Sequence, residues 1–109
     1  MLKIKNNIKL DELVKFGFEK YVEIKPTWRS SWSKEKDKYI YEKYTELGYK
    51  LNTGVNIIYV VEEYINDDWH EPNEERQIYV CESDYNMGVD IDVFDILFEL
   101  IQAGFVEKV

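Results

Sequence analysis

Ser33-Lys34-Glu35-Lys36-Asp37-Lys38-Tyr39-Ile40-Tyr41-Glu42-Lys43-Tyr44-Thr45-Glu46-Leu47-Gly48 is the stretch on which the fold turns. Read as a helix, Ser33 caps the first turn, Ile40, Tyr44 and Leu47 share one face, and Gly48 ends it. Read as a strand, Tyr39 to Tyr44 supplies the aromatic and β-branched side chains that pack well on a pleated surface. That composition tips the reading to strand. The chain then runs helix, three to four antiparallel strands, helix. This is an α+β sandwich of two layers, with a short amino-terminal helix and a longer carboxy-terminal helix packed on one sheet face.

Downstream, Asn56–Ile65 carries Ile57, Ile58, Tyr59, Val60 and Val61 in succession, which predicts a central strand covered on both faces. Arg76–Glu82 has the same β-rich character. The ten residues 66–75 between these runs are too polar to bury and are expected to form a long hairpin loop. Upstream, Phe18–Lys25 alternates, with Val22 and Ile24 on the buried face until Pro26 interrupts.

The two helices follow from capping and period. From Val93 to Ala103 the apolar residues Val93, Phe94, Ile96, Leu97, Phe98, Leu100 and Ile101 leave only a narrow polar stripe of Asp92, Asp95, Glu99 and Gln102. This predicts a helix buried on most of its circumference, capped by Asp90 or Asp92 and ended by Gly104. A shorter helix over residues 10–16 is expected, with Asp11 as cap, Leu13, Val14 and Phe16 as apolar face and Gly17 as terminator.

The chain of 109 residues suits a single domain, residues 1–109, able to remove about two-thirds of its unfolded surface on folding. With 45% apolar and 16% aromatic residues it lies far from the composition of disordered chains. One cysteine excludes an internal disulfide framework, and the first residues lack the apolar run of a secretion signal. The longest nearly uncharged run, Gly54–Val61, is far short of the roughly 20 residues of a membrane span. The expected setting is cytoplasmic, without a membrane.

Charge is sorted by position. Residues 1–50 hold 12 basic and 8 acidic side chains, residues 51–109 hold 2 and 14, so the segments carry +4 and −12. The overall −8 argues against general nucleic-acid binding, which draws its affinity from Lys and Arg on phosphates. It points instead to a basic protein as partner. The six residues Asp67, Asp68, Trp69, Glu71, Glu74 and Glu75 are the candidate protein-interaction site, because exposed acids beside an indole suit a surface that meets a basic partner.

Catalytic and metal patterns are poor by comparison. His70 with Asp68 and Glu71 offers suitable ligand chemistry, yet a lone histidine without spaced partners makes a weak metal site. Asp84 to Asp92 resembles the start of a calcium loop, but its glycine falls one position early, Gly88 replaces an oxygen ligand, and Asp95 stands where the bidentate Glu belongs. A nucleophile with a base reduces to Cys81 with His70, and Cys81 in a β-rich run reads as a buried thiol. Trp28-Arg29-Ser30-Ser31-Trp32 can stack a base or sugar, or cover the edge of a small core. Gly48 and the other four glycines are isolated turn or helix terminators, so no phosphate loop exists and no cofactor is expected.

The opening Leu2-Lys3-Ile4-Lys5, the run Leu13-Val14-Lys15-Phe16-Gly17-Phe18 and the close Leu100-Ile101-Gln102-Ala103-Gly104-Phe105-Val106-Glu107-Lys108-Val109 resemble small uncharacterised proteins of phages and prophages of low-GC Gram-positive bacteria. The resemblance implies a bacterial cytoplasmic context and transfers no activity. The expected role is therefore that of a non-enzymatic accessory protein acting through protein–protein interaction via its acidic surface, in its sharper form a nucleic-acid-mimicking inhibitor. The alternatives are a homo-oligomeric structural protein and a small carboxylate- or metal-dependent hydrolase.

Overall fold

The computed structural model describes residues 1–66, 69–83 and 88–109, and of Trp28 the backbone alone. Its strands are β1 (Leu2–Ile4), β2 (Glu19–Ser33), β3 (Lys38–Asn52), β4 (Asn56–Ile65), β5 (His70–Pro72), β6 (Tyr79–Glu82) and β7 (Val106–Lys108). A 3₁₀ helix spans Leu10–Phe16 and an α-helix, α1, spans Ile91–Gln102. The ambiguous stretch is strand from Lys38 onward, after a tight turn in which Asp37 takes φ 50°.

The expected fold class is overturned. A five-stranded antiparallel sheet runs β2-β3-β4-β5 with β6 also on β4, and a separate two-stranded ribbon joins β1 to β7. The molecule is mainly sheet, not three to four strands under two helices. The physical reason is the edge of β4. Its ten residues accept two short strands end to end, β5 against Glu63–Ile65 and β6 against Asn56–Tyr59. Strands of three or four residues are too short to show a period-two pattern.

The expected long hairpin loop is likewise replaced. Asn66 and Trp69 are bonded to each other between β4 and β5, with Asn66 N donating to Trp69 O at 2.9 Å and Trp69 N donating to Asn66 Oδ1 at 2.9 Å. After β5 the chain leaves the sheet, bridges to β1 through Lys3 and Gln77, and returns as β6. Arg76 fixes this excursion at φ 52°, its guanidinium donating to the carbonyls of Lys5, Asn6 and Ile8.

One sheet face carries the core. Tyr49, Ile58 and Val60 meet Leu10, Leu13 and Phe18 from the first part of the chain, Val93 and Leu100 from α1, and Ile4 from the ribbon. The first helix is 3₁₀ because Leu10, Leu13 and Phe16 recur every three residues, so a three-residue turn aligns them. Asp11 does not cap it: the cap position is Lys9, without a side-chain bond, and Val14 is exposed. Gly17 ends it at φ 96°, where a side chain would be strained.

Sheet and helix layer are of unequal length. The radius of gyration is 16.7 Å, against about 13 Å for a compact domain of this size. The excess is the outer part of the β2–β3 hairpin, an arm beyond the reach of the helices. Val22 and Ile24, expected on the buried face, do point to the helix side yet are 62% and 72% exposed. Tyr21, on the opposite face, is buried instead. Pro26 does not end β2; a bulge sets Thr27, Trp28 and Arg29 against Glu42, and the strand goes on to pair Trp32 with Tyr39.

Candidate functional site

Helix α1 is buried on one side only, which corrects the expectation of burial around most of its circumference. Val93 and Leu100 are buried, with Ile96 and Leu97 packed against the core. Ile91, Phe94, Phe98 and Ile101, spaced three and four residues apart, form a second stripe that faces solvent, Phe94 at 61% and Phe98 at 59% exposure. Asp92, Asp95 and Glu99 lie on the helix surface between this stripe and the buried one. The sequence shows two apolar stripes; only packing decides which one meets the sheet.

The helix is held firmly. Asp90 Oδ1 accepts from Val93 N at 3.2 Å as cap, and its Oδ2 accepts from Thr53 Oγ1 at 3.1 Å. Asn56, 1% exposed, accepts from Asp90 N at 2.9 Å and donates to Gly88 O at 2.9 Å. A buried amide thus ties the helix start to the central strand.

Of the six candidate interaction residues, Asp67 and Asp68 lie outside the described residues. Trp69, Glu71, Glu74 and Glu75 are all exposed. Glu71, Glu74 and Glu75 come together with Tyr64, Pro72 and Asn73 around an open notch of about 490 Å³. Within the described residues, only two carboxylates of positions 51–109 have an ion-pair partner: Glu63 with His70, and Glu107 with Lys3 at 3.5 Å. The acids of α1 and of the notch have none there.

Cys81 and His70, the pair offered for nucleophilic catalysis, are not brought together. His70 binds Glu63, and among the described residues no three His, Cys, Asp or Glu side chains gather as metal ligands. Cys81 is exposed, not buried, and pairs with Ile57 of β4, whereas His70 pairs with Ile65. Eight positions along a strand separate them by about 26 Å, out of reach of any shared chemistry. The calcium-like run has residues 84–87 outside the described residues. Trp32 neither builds a base-stacking platform with a described partner indole nor covers the core edge; it sits on the arm, edge-on to Tyr39 at 5.2 Å.

A polar cluster that the sequence does not announce lies on the sheet face away from the helices. Glu46, 5% exposed, accepts from Tyr21 Oη and Lys25 Nζ on the same oxygen, each at 3.0 Å. Burial, then the Glu46 carboxylate, pushes the Tyr21 hydroxyl far above its usual range. Burial works against the charge of Lys25, but its bond to Glu46 prevails and raises its pKa. Gly48 is no terminator: a Cβ there would stand 2.4 Å from Val60 O and 2.8 Å from the Tyr21 ring, so the bare backbone lets Tyr21 lie across β3. Cross-strand pairing of Glu23 with Glu46 and Tyr21 with Gly48 was the only available signal, and it depends on knowing the register.

A cleft of about 760 Å³ opens on the other side, lined among others by Lys9, Lys20, Tyr49, Glu62 and Arg76. Glu62 Oε2 and Arg76 Nε are shut off from solvent there without a hydrogen-bond partner among the described residues. Burial lowers the Arg76 pKa while Glu62 pulls it back up, so the two groups compensate each other by charge. Arg76 is the brace to the 5–8 loop, through its bonds to the carbonyls of Lys5, Asn6 and Ile8.

Compared with protein-family models, curated proteins and solved structures, the chain finds no match in any of the three. The functional reading therefore rests on the geometry alone.

Proposed function

We propose that this chain is a non-enzymatic accessory protein that binds a basic protein through its acidic, aromatic surface. The observation that carries the reading is the outer side of α1. Four apolar side chains stand in solvent beside three carboxylates without ion-pair partners among the described residues. Exposed aromatic anchors with a charged rim are the composition of protein interfaces, where anchors supply affinity and charge supplies approach rate and selectivity. The notch of Glu71, Glu74 and Glu75 adds a place for Lys or Arg side chains. No helix among the described residues is long and apolar enough to cross a membrane. In its sharper form the reading makes a nucleic-acid-binding protein the partner to seek first, because its basic surface is complementary to exposed carboxylates.

The test is capture from a bacterial lysate on immobilised wild type and on a variant with Glu71, Glu74, Glu75, Asp92 and Asp95 changed to Lys. Retention of basic proteins by the wild type alone supports the reading. Equal retention by both removes it.

A further inference from the structure

The molecule exposes a second apolar surface whose charge is opposite to that of α1. Along the helix-side face of the β2–β3 hairpin, Tyr39 and Tyr41 of β3 and Trp32, opposite Tyr39, lie on the arm, and Val22 and Ile24 of β2 continue the same face at its base. All five are at least half exposed. Around them the arm carries Arg29, Lys34, Lys36, Lys38 and Lys43 against Glu35, Asp37 and Glu42, a net +2 over residues 26–43. Lys34, Lys36, Lys38 and Lys43 have no ion-pair partner among the described residues. Helix α1 carries three carboxylates and no basic residue, a net −3.

Length matches as well as charge. The outer arm, residues 26–33 of β2, extends about 26 Å, and the twelve residues of α1 about 18 Å, so one can lie along the other. An arm that stands off its own body leaves α1 to a neighbour. We propose that the arm of one copy docks on the outer stripe of α1 of a second copy, Trp32, Tyr39 and Tyr41 against Phe94 and Phe98, with lysines beside Asp92, Asp95 and Glu99. The two surfaces are different patches, so the contact is heterologous and copies join head to tail into a ring or a filament. This rests on the preceding reading in taking the outer face of α1 as a binding surface, and offers a second copy, through its locally basic arm, as an occupant that competes there with a foreign basic protein.

Sedimentation velocity on three proteins tests it: wild type, the helix variant Phe94→Ser/Phe98→Ser and the arm variant Trp32→Ser/Tyr41→Ser. The substituted residues are exposed, so melting temperatures should stay close to wild type and verify folding. Wild type is expected to grow with concentration at low salt and to dissociate at high salt. Each variant alone should remain monomeric, and an equimolar mixture of the two should form dimers that grow no further, because one intact arm meets one intact helix. A wild type that stays monomeric at all concentrations and low salt overturns the proposal. So does an assembling wild type whose two variants fail to complement, which would indicate a contact between like patches. If Phe94→Ser/Phe98→Ser abolishes capture of another protein while the wild type sediments as a monomer, the interface reading stands and the second copy alone is excluded. As a charge check, Lys38→Glu/Lys43→Glu should weaken assembly at least tenfold, with restoration by Asp95→Lys/Glu99→Lys; no effect counts against the proposal.

Discussion

Glu46 governs the uncovered face of the sheet, because two side chains from β2 converge on one of its oxygens. Burial of the Tyr21 hydroxyl, reinforced by the Glu46 carboxylate, gives a pH dependence with a definite sign. Tyr21 titrates above its usual value of 10 in the folded state and at the usual value when unfolded. Above about pH 10 the folded chain therefore binds more protons than the unfolded one, and stability falls as pH rises. Tyr49, Tyr59 and Tyr64, raised mainly by burial, and Lys25, raised on balance by Glu46, act in the same direction. Urea unfolding between about pH 9 and 11 should show this decline, less steep in Tyr21→Phe. An unchanged slope in that variant would contradict the Tyr21–Glu46 bond. At the same spot Gly48→Ala is expected to cost about 1–3 kcal/mol by crowding Val60 O and Tyr21, read as a lower urea midpoint at constant slope. Glycine in isolation looks alike at a helix end and inside a strand, which is why its role is not legible before the register is known.

At the scale of elements, α1 depends on Asn56 and Asp90. Asp90→Ala should lose about 1 kcal/mol as a cap is removed, and Asn56→Ala about 1–3 kcal/mol because it removes the buried amide that bonds both Asp90 N and Gly88 O. Thermal melts that place Asn56→Ala above Asp90→Ala would refute the tie between helix and strand. Long, strongly patterned elements were readable in advance: the final helix from its period and Gly104, the central strand from its continuous Ile/Val/Tyr run. The short ones were not, since β1, β5 and β7 have three residues each and owe their state to partners far along the chain. Nor does a period show which apolar side meets the core. Phe94 and Phe98 fit the buried pattern as well as Val93 and Leu100 do, and Val22 and Ile24 alternate correctly in a part of β2 that nothing covers.

As a whole molecule the protein is long, 55 × 35 × 23 Å, with a packed body at one end and a basic aromatic arm at the other. The clustering of acids was legible in the sequence, because charge is a count, and Glu71, Glu74 and Glu75 line one notch. The exposed aromatic side of α1 was not legible, since a period does not show which stripe packs: Phe94 and Phe98 are 61% and 59% exposed, beside Trp69 at 39%. The central claim is that the outer, acidic and aromatic side of α1 is where another polypeptide binds. The most direct measurement is the affinity of a captured basic protein for wild type and for Asp92→Lys/Asp95→Lys/Glu99→Lys as ionic strength rises. The account predicts at least tenfold weaker binding by the variant at low salt, a gap that closes by about 0.5 M salt as surface charges are screened. Equal affinities at low salt would contradict it.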